Sequence, residues 1–154
     1  MERSQPAQTK PIKSLDVIEV NETWRVFRDQ PLASTKFASV FRGQKIDSGE
    51  IVMVKVYTMY ELMKNKSVPE DEALMKEIAF LQATEKLDGK NIVNFKGWAK
   101  ENKNVYVFLE LCGQNLEDYI KEKGGTLDES ELKDIGLSIV KGLHAIHSAG
   151  LTHG

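Results

Sequence analysis

The order of elements in this sequence predicts an α+β fold, in which a small antiparallel sheet carries one packed helix and an all-helical portion begins after it. Three observations support this. Strand-like segments joined by short connections occupy residues 24–57. A helix-periodic segment follows, with Leu74, Ile78 and Leu81 at i, i+4 and i+7. Two more strand-like segments then lead into two helices with clear start signals.

Size and composition bound the protein class. A chain of 154 residues makes one ordinary domain, or the front part of a larger one. With 41% hydrophobic and 29% charged residues, it has the balance of a soluble globular protein. A net charge of -2, with no basic block, gives no general attraction to nucleic acid or anionic membrane. The lone cysteine, Cys112, allows neither an internal disulfide nor a Cys-rich zinc site. No signal peptide is evident, and no apolar run is long enough to span a bilayer, so a cytoplasmic or nuclear protein is expected.

Residues 1–22 are expected to form a polar leader or extended arm, within which Leu15–Val20 is either a short strand or an arm packed on the domain. From Trp24 the alternation of Trp24 and Val26 with Arg25 and Arg28 suits a first strand, which Pro31 demotes to an edge or turn. Phe37–Lys45 forms the second, and Asp47-Ser48-Gly49 turns the chain into the third, Ile51–Tyr57. Ser67-Val68-Pro69-Glu70 has the spacing of a capping box ahead of the Leu74 helix, where Glu77 lies at the margin of the apolar stripe. Met59, Met63 and Met75 are expected to fill gaps in the core.

Ile92–Trp98 and Val105–Leu111 are the expected fourth and fifth strands. Asn115 caps a short helix that Gly124-Gly125 ends. Asp128 and Glu131 form a capping box for the last helix, whose stripe runs through Leu132, Ile135, Ile139, Leu143 and Ile146 to a stop at Gly150.

Lys55 stands alone in the apolar run Ile51–Tyr57, where its burial is costly unless an anion meets its ammonium group. Glu77, twenty-two residues on, is the partner this reading selects. His144, His147 and His153 suit packing better than a metal site, and Cys112 is expected to be an inert thiol.

From Trp24 to Gly154 the chain resembles the protein kinase family. Val52-Met53-Val54-Lys55 resembles the Val-Ala-Ile-Lys strand, and Lys76-Glu77-Ile78 the helix motif whose acid holds that lysine. Leu109-Glu110-Leu111-Cys112 is similar to the gatekeeper and hinge, and Gly150-Leu151-Thr152-His153 to the approach to the catalytic loop. The resemblance implies a kinase-like amino-terminal lobe and hinge at 23–112, with a five-stranded sheet and one helix, and the start of a carboxy-terminal lobe at 113–154.

It further implies that Lys55 touches ATP phosphates and that Glu77 orients it. Leu32, Val40, Met53 and Leu109 would surround adenine, which would hydrogen-bond the backbone of Glu110 and Cys112. The implied partners are ATP, used with Mg²⁺ in a complete kinase, and a protein substrate or regulatory protein. Neither nucleic acid nor membrane is implied.

The sequence departs from the family where phosphates are gripped. Ala33, Thr35 and Ala38 stand at the glycine positions of the phosphate loop, and Met53 replaces a small alanine. Gly154 takes the place of the arginine before the catalytic aspartate, and the chain ends there, so as it stands it is expected to be inactive. Two readings remain: the amino-terminal part of an ATP-dependent protein kinase acting on Ser/Thr (or Tyr), or a pseudokinase that binds partners as a scaffold.

Overall fold

Alternating apolar and polar residues, punctuated by left-handed turns, fold the first half of the chain into strands. The computed structural model describes residues 16–34, 38–58, 70–87 and 90–153. Its elements are β1 (Val17–Val20), β2 (Trp24–Phe27), β3 (Ala33–Ser34), β4 (Ala38–Lys45), β5 (Ile51–Thr58), α1 (Glu70–Thr84), β6 (Phe95–Glu101), β7 (Asn104–Glu110), α2 (Leu116–Glu122) and α3 (Glu129–Ser148). The expected capping residues 67–69, Thr35 and Phe37 of the phosphate loop, and Met59, Met63 and Gly154 lie outside the described residues.

The strands form one antiparallel sheet in the order β1-β2-β4-β5-β7-β6, with β3 paired to β4. The five expected strands are present, and two short ones, β1 and β3, extend the sheet. Within this stretch the strand alternative is adopted over Val17–Val20: β1 pairs with β2, and Val20 is buried. The first expected strand ends at Phe27, and Pro31, which cannot donate to a ladder, lies in the connection to β3. The fourth strand starts at Phe95, three residues later than Ile92. β6 and β7 join at Asn102-Lys103, whose φ angles of 49° and 63° match the left-handed turn that a two-residue hairpin needs. Gly49, at φ 72°, closes the β4–β5 turn, with its N–H donating to the Lys45 carbonyl at 2.9 Å.

The sheet curls. Trp24 on β2 and Phe108 on β7 are three strand steps apart, about 14 Å on a flat sheet, yet their rings stack with centroids 4.2 Å apart. The inside of that curl holds one core, with Val20, Val26, Val52, Val54 and Tyr106 around the stacked pair. The opposite face holds a second core, where Leu74, Ile78 and Leu81 of α1 pack on Tyr57, Phe95, Val105 and Val107. Both faces of β5 and β7 are therefore covered, which explains their nearly continuous apolar sequence. Met75 is 48% exposed rather than a core filler, because it lies about 100° around the helix from the buried stripe.

Asn115 caps α2 by accepting from the Asp118 N–H at 2.8 Å, and the Asp128–Glu131 capping box opens α3 as expected. Glu131 also accepts from the Tyr119 hydroxyl and pairs with Lys123, each at 2.7 Å, which ties α2 to α3. These contacts, the Lys123 hydrogen bond foremost, hold its carboxyl at a pKa of about 2.

The α3 stripe is largely uncovered. Ile146 is buried, while Leu132, Ile139 and Leu143 are exposed, as are Leu137 and Val140. The helix docks near its end, where Gly142 lies so close to the Asn91 carbonyl that an added Cβ would sit 2.7 Å from that oxygen. Uncovered apolar area of this size favours association. The chain is expected to sediment as a concentration-dependent oligomer, and Leu132→Glu with Val140→Glu to return it to monomer. A wild-type monomer across the concentration range would contradict this.

Candidate functional site

Register and helix phase build the site. Lys55 is at the middle of β5, opposite Val40 on β4 and Val107 on β7. Side chains alternate along a strand, so Lys55 shares its face with Met53 and Tyr57. This is the face that α1 crosses, with Leu74, Ile78 and Leu81 turned into the core. Their burial fixes the rotation of the helix and aims Glu77, on the border of the stripe, along the sheet. Glu77 Oε1 accepts from Lys55 Nζ at 3.2 Å and from the Tyr57 hydroxyl at 2.9 Å.

The lysine and glutamate side chains are 35% and 37% exposed. An ion pair this open is worth roughly 0–1 kcal/mol, so it contributes little to stability. Tyr57 differs, being only 7% exposed. Burial pushes its pKa well above the usual tyrosine value, and the Glu77 charge and hydrogen bond add to the shift. The phenol therefore remains a donor. Tyr57 is absent from the expected site, although its i+2 spacing from Lys55 on a strand was a usable signal.

The remaining expected residues border the same region. Val40 is buried, directly opposite Lys55. Leu32 is 45% exposed, and its N–H donates to the Val40 carbonyl at 2.8 Å. Ala33 and Ser34, at the start of the glycine-substituted segment, pair with Val40 and Ser39 in the sheet. Met53 is half-buried between its register partners Arg42 and Leu109, and Leu109 is buried in the helix-side core.

The Glu110 N–H is committed to the Asn94 carbonyl at 2.9 Å, which narrows its backbone contact with any ligand to its own carbonyl. Cys112 is exposed just beyond β7. Partial burial, then the nearby Glu110 charge, raises its thiol pKa, which suits an unreactive group. His153 meets the ring of Phe80 on α1 edge-on, with centroids 6.3 Å apart, bringing the end of the chain beside the helix that carries Glu77.

Among the described residues, no three His, Cys, Asp or Glu side chains converge to hold a metal ion. No helix among them is long and apolar enough to cross a membrane.

A curled antiparallel sheet, a helix whose acid meets a strand lysine, and a last strand running out into helices together define this architecture. Residues 28–154 match the protein kinase domain, and the chain belongs to the protein kinase family. It is 32% identical to the serine/threonine-protein kinase ICK of Rattus norvegicus over 123 residues, covering 79% of this chain and 18% of that protein. It is 27% identical to the MAP kinase kinase kinase win1 of Schizosaccharomyces pombe over 147 residues, covering 95% of this chain and 10% of that protein. In structure it is similar to Rad53 residues 1–466 in complex with AMP-PNP, with a TM-score of 0.73 and 23% identity over 86% of this chain and 33% of that one. The chain thus spans a minor part of each of these proteins.

Proposed function

We propose that this chain is the nucleotide-holding part of a protein serine/threonine kinase, contributing the ATP side of phosphoryl transfer to protein hydroxyls in the cytoplasm or nucleus. The Lys55–Glu77 contact at 3.2 Å, on the face shared with Val40 and Met53, carries this reading. Lys55 supplies a point charge to the α- and β-phosphates, and Glu77 keeps that charge from swinging away. Leu32, Val40, Met53 and Leu109 wall the adenine, and backbone groups of Glu110 and Cys112 hydrogen-bond its edge. Phosphoryl transfer rests almost wholly on such positioning and on charge placement. Mg²⁺ would screen phosphate charge when bound, but the described residues offer it no clustered ligands, and no role here depends on it.

Calorimetric titration of the chain with ATP, with and without Mg²⁺, tests the reading. Saturable binding is expected, and its absence under both conditions would overturn the proposal. A second reading, a pseudokinase that serves as a partner-binding module, draws on Ala33 and Ala38 at positions where the family's phosphate loop has glycine. Their Cβ atoms hinder the close approach of backbone N–H groups to phosphate.

A further inference from the structure

The sheet offers Glu77 two donors, and they differ in kind. Lys55 reaches it through a long, flexible side chain that is 35% exposed. Tyr57 reaches the same oxygen through a short, rigid ring whose hydroxyl lies 2.9 Å away. That ring is clamped in the core formed by Leu74, Ile78 and Leu81 of α1 with Val105 and Val107 of β7. Its strand neighbours across the ladder are Ala38 and Val105, small enough to leave the ring its place on the helix-facing side. Of the two donors, the tyrosine therefore has much the smaller choice of positions.

We infer that Tyr57 is a positioning residue, which fixes the Glu77 carboxylate and thereby docks the middle of α1 on the sheet whether or not Lys55 engages it. Glu77 is then held before any nucleotide arrives. The ammonium group of Lys55 needs to spend only one N–H on Glu77, and its other donors remain directed at phosphate. This inference deepens the proposed function, because the benefit to Lys55 rests on the nucleotide reading, whereas the docking of α1 does not. Burial keeps the phenol protonated, so the latch holds through neutral and moderately alkaline pH.

Hydrogen exchange on the nucleotide-free chain tests the latch, with Tyr57→Phe removing the hydroxyl and keeping the ring. Exchange of the α1 amides from Leu74 to Leu81 is expected to accelerate about tenfold or more, the scale of losing a hydrogen bond to a charged group. The β7 amides from Val105 to Leu109 are expected to exchange as in the wild type. In Lys55→Met, the α1 amides are expected to stay within about threefold of wild type, as befits a half-exposed pair. Unchanged α1 exchange in Tyr57→Phe would overturn the inference, as would equal acceleration of α1 and β7, or an α1 that opens in Lys55→Met alone.

ATP titration of Tyr57→Phe adds a readout that simple packing would not move. Affinity is expected to fall about three- to tenfold, the scale of one net hydrogen bond, while the melting temperature of the β-sheet core is retained. Wild-type affinity in Tyr57→Phe would remove the claimed benefit to Lys55. A wild-type chain that binds no ATP would sink the nucleotide reading and leave the exchange result to decide the latch.

Discussion

Lys55→Met is expected to lower ATP affinity at least about 100-fold, because it deletes the cation that we propose faces the phosphates and puts an uncharged thioether in its place. The effect is electrostatic more than structural. Methionine keeps most of the apolar stem and fits a strand between Val40 and Val107. The lost ion pair is open to solvent and contributes little to folding. Tyr57 continues to hold Glu77 at 2.9 Å, so the helix is expected to stay docked. Calorimetry with ATP, paired with thermal melting of wild type and variant, separates the two effects. Undiminished ATP binding by Lys55→Met would rule out Lys55 as the phosphate cation, and a collapsed melting curve would show that the pair matters more for stability than its exposure indicates.

Phe108→Ala is expected to destabilise the chain by about 3–5 kcal/mol, a large share of the roughly 5–15 kcal/mol that holds an ordinary domain together. Phe108 is fully buried and stacks on Trp24 at the centre of the curl, bridging strands that are not neighbours. Removing its ring leaves a cavity and releases the contact that draws β2 toward β7. Urea unfolding followed by tryptophan fluorescence reads the effect directly, since Trp24 is the stacked partner. Met75→Ala on the exposed side of α1 provides the contrast, with a change expected within about 0.5 kcal/mol. Similar midpoints for Phe108→Ala and wild type would mean that the curl is held elsewhere.

Local rules made much of this architecture legible. The β4–β5 turn follows from Asp47-Ser48-Gly49 alone, and the α3 capping box from Asp128 and Glu131, because each depends on residues within a few positions of one another. The Leu74, Ile78 and Leu81 stripe sufficed to predict which face of α1 is buried and to place Glu77 at its edge. That lysine and glutamate meet could be expected because burying a lone lysine among β-branched residues calls for an anion.

Other features were not legible. Nothing between Leu15 and Val20 distinguishes a sheet strand from an arm, because pairing with β2 is a long-range choice. Periodicity in α3 shows an apolar stripe but cannot show whether anything covers it, and here most of the stripe is open. Tyr57 looked like one more apolar strand residue until its hydroxyl was seen against Glu77.

By itself, then, the sequence determined the family, the run of strands and helices, and the lysine and acid that belong together, since periodicity, turn chemistry and motif spacing are written in neighbouring residues. The tertiary structure alone decided that the sheet curls until Trp24 stacks on Phe108, that α3 closes on the Asn91 carbonyl at Gly142, and that one carboxylate oxygen serves two donors. Those outcomes depend on distances between residues far apart in the chain, which packing sets and local pattern does not encode.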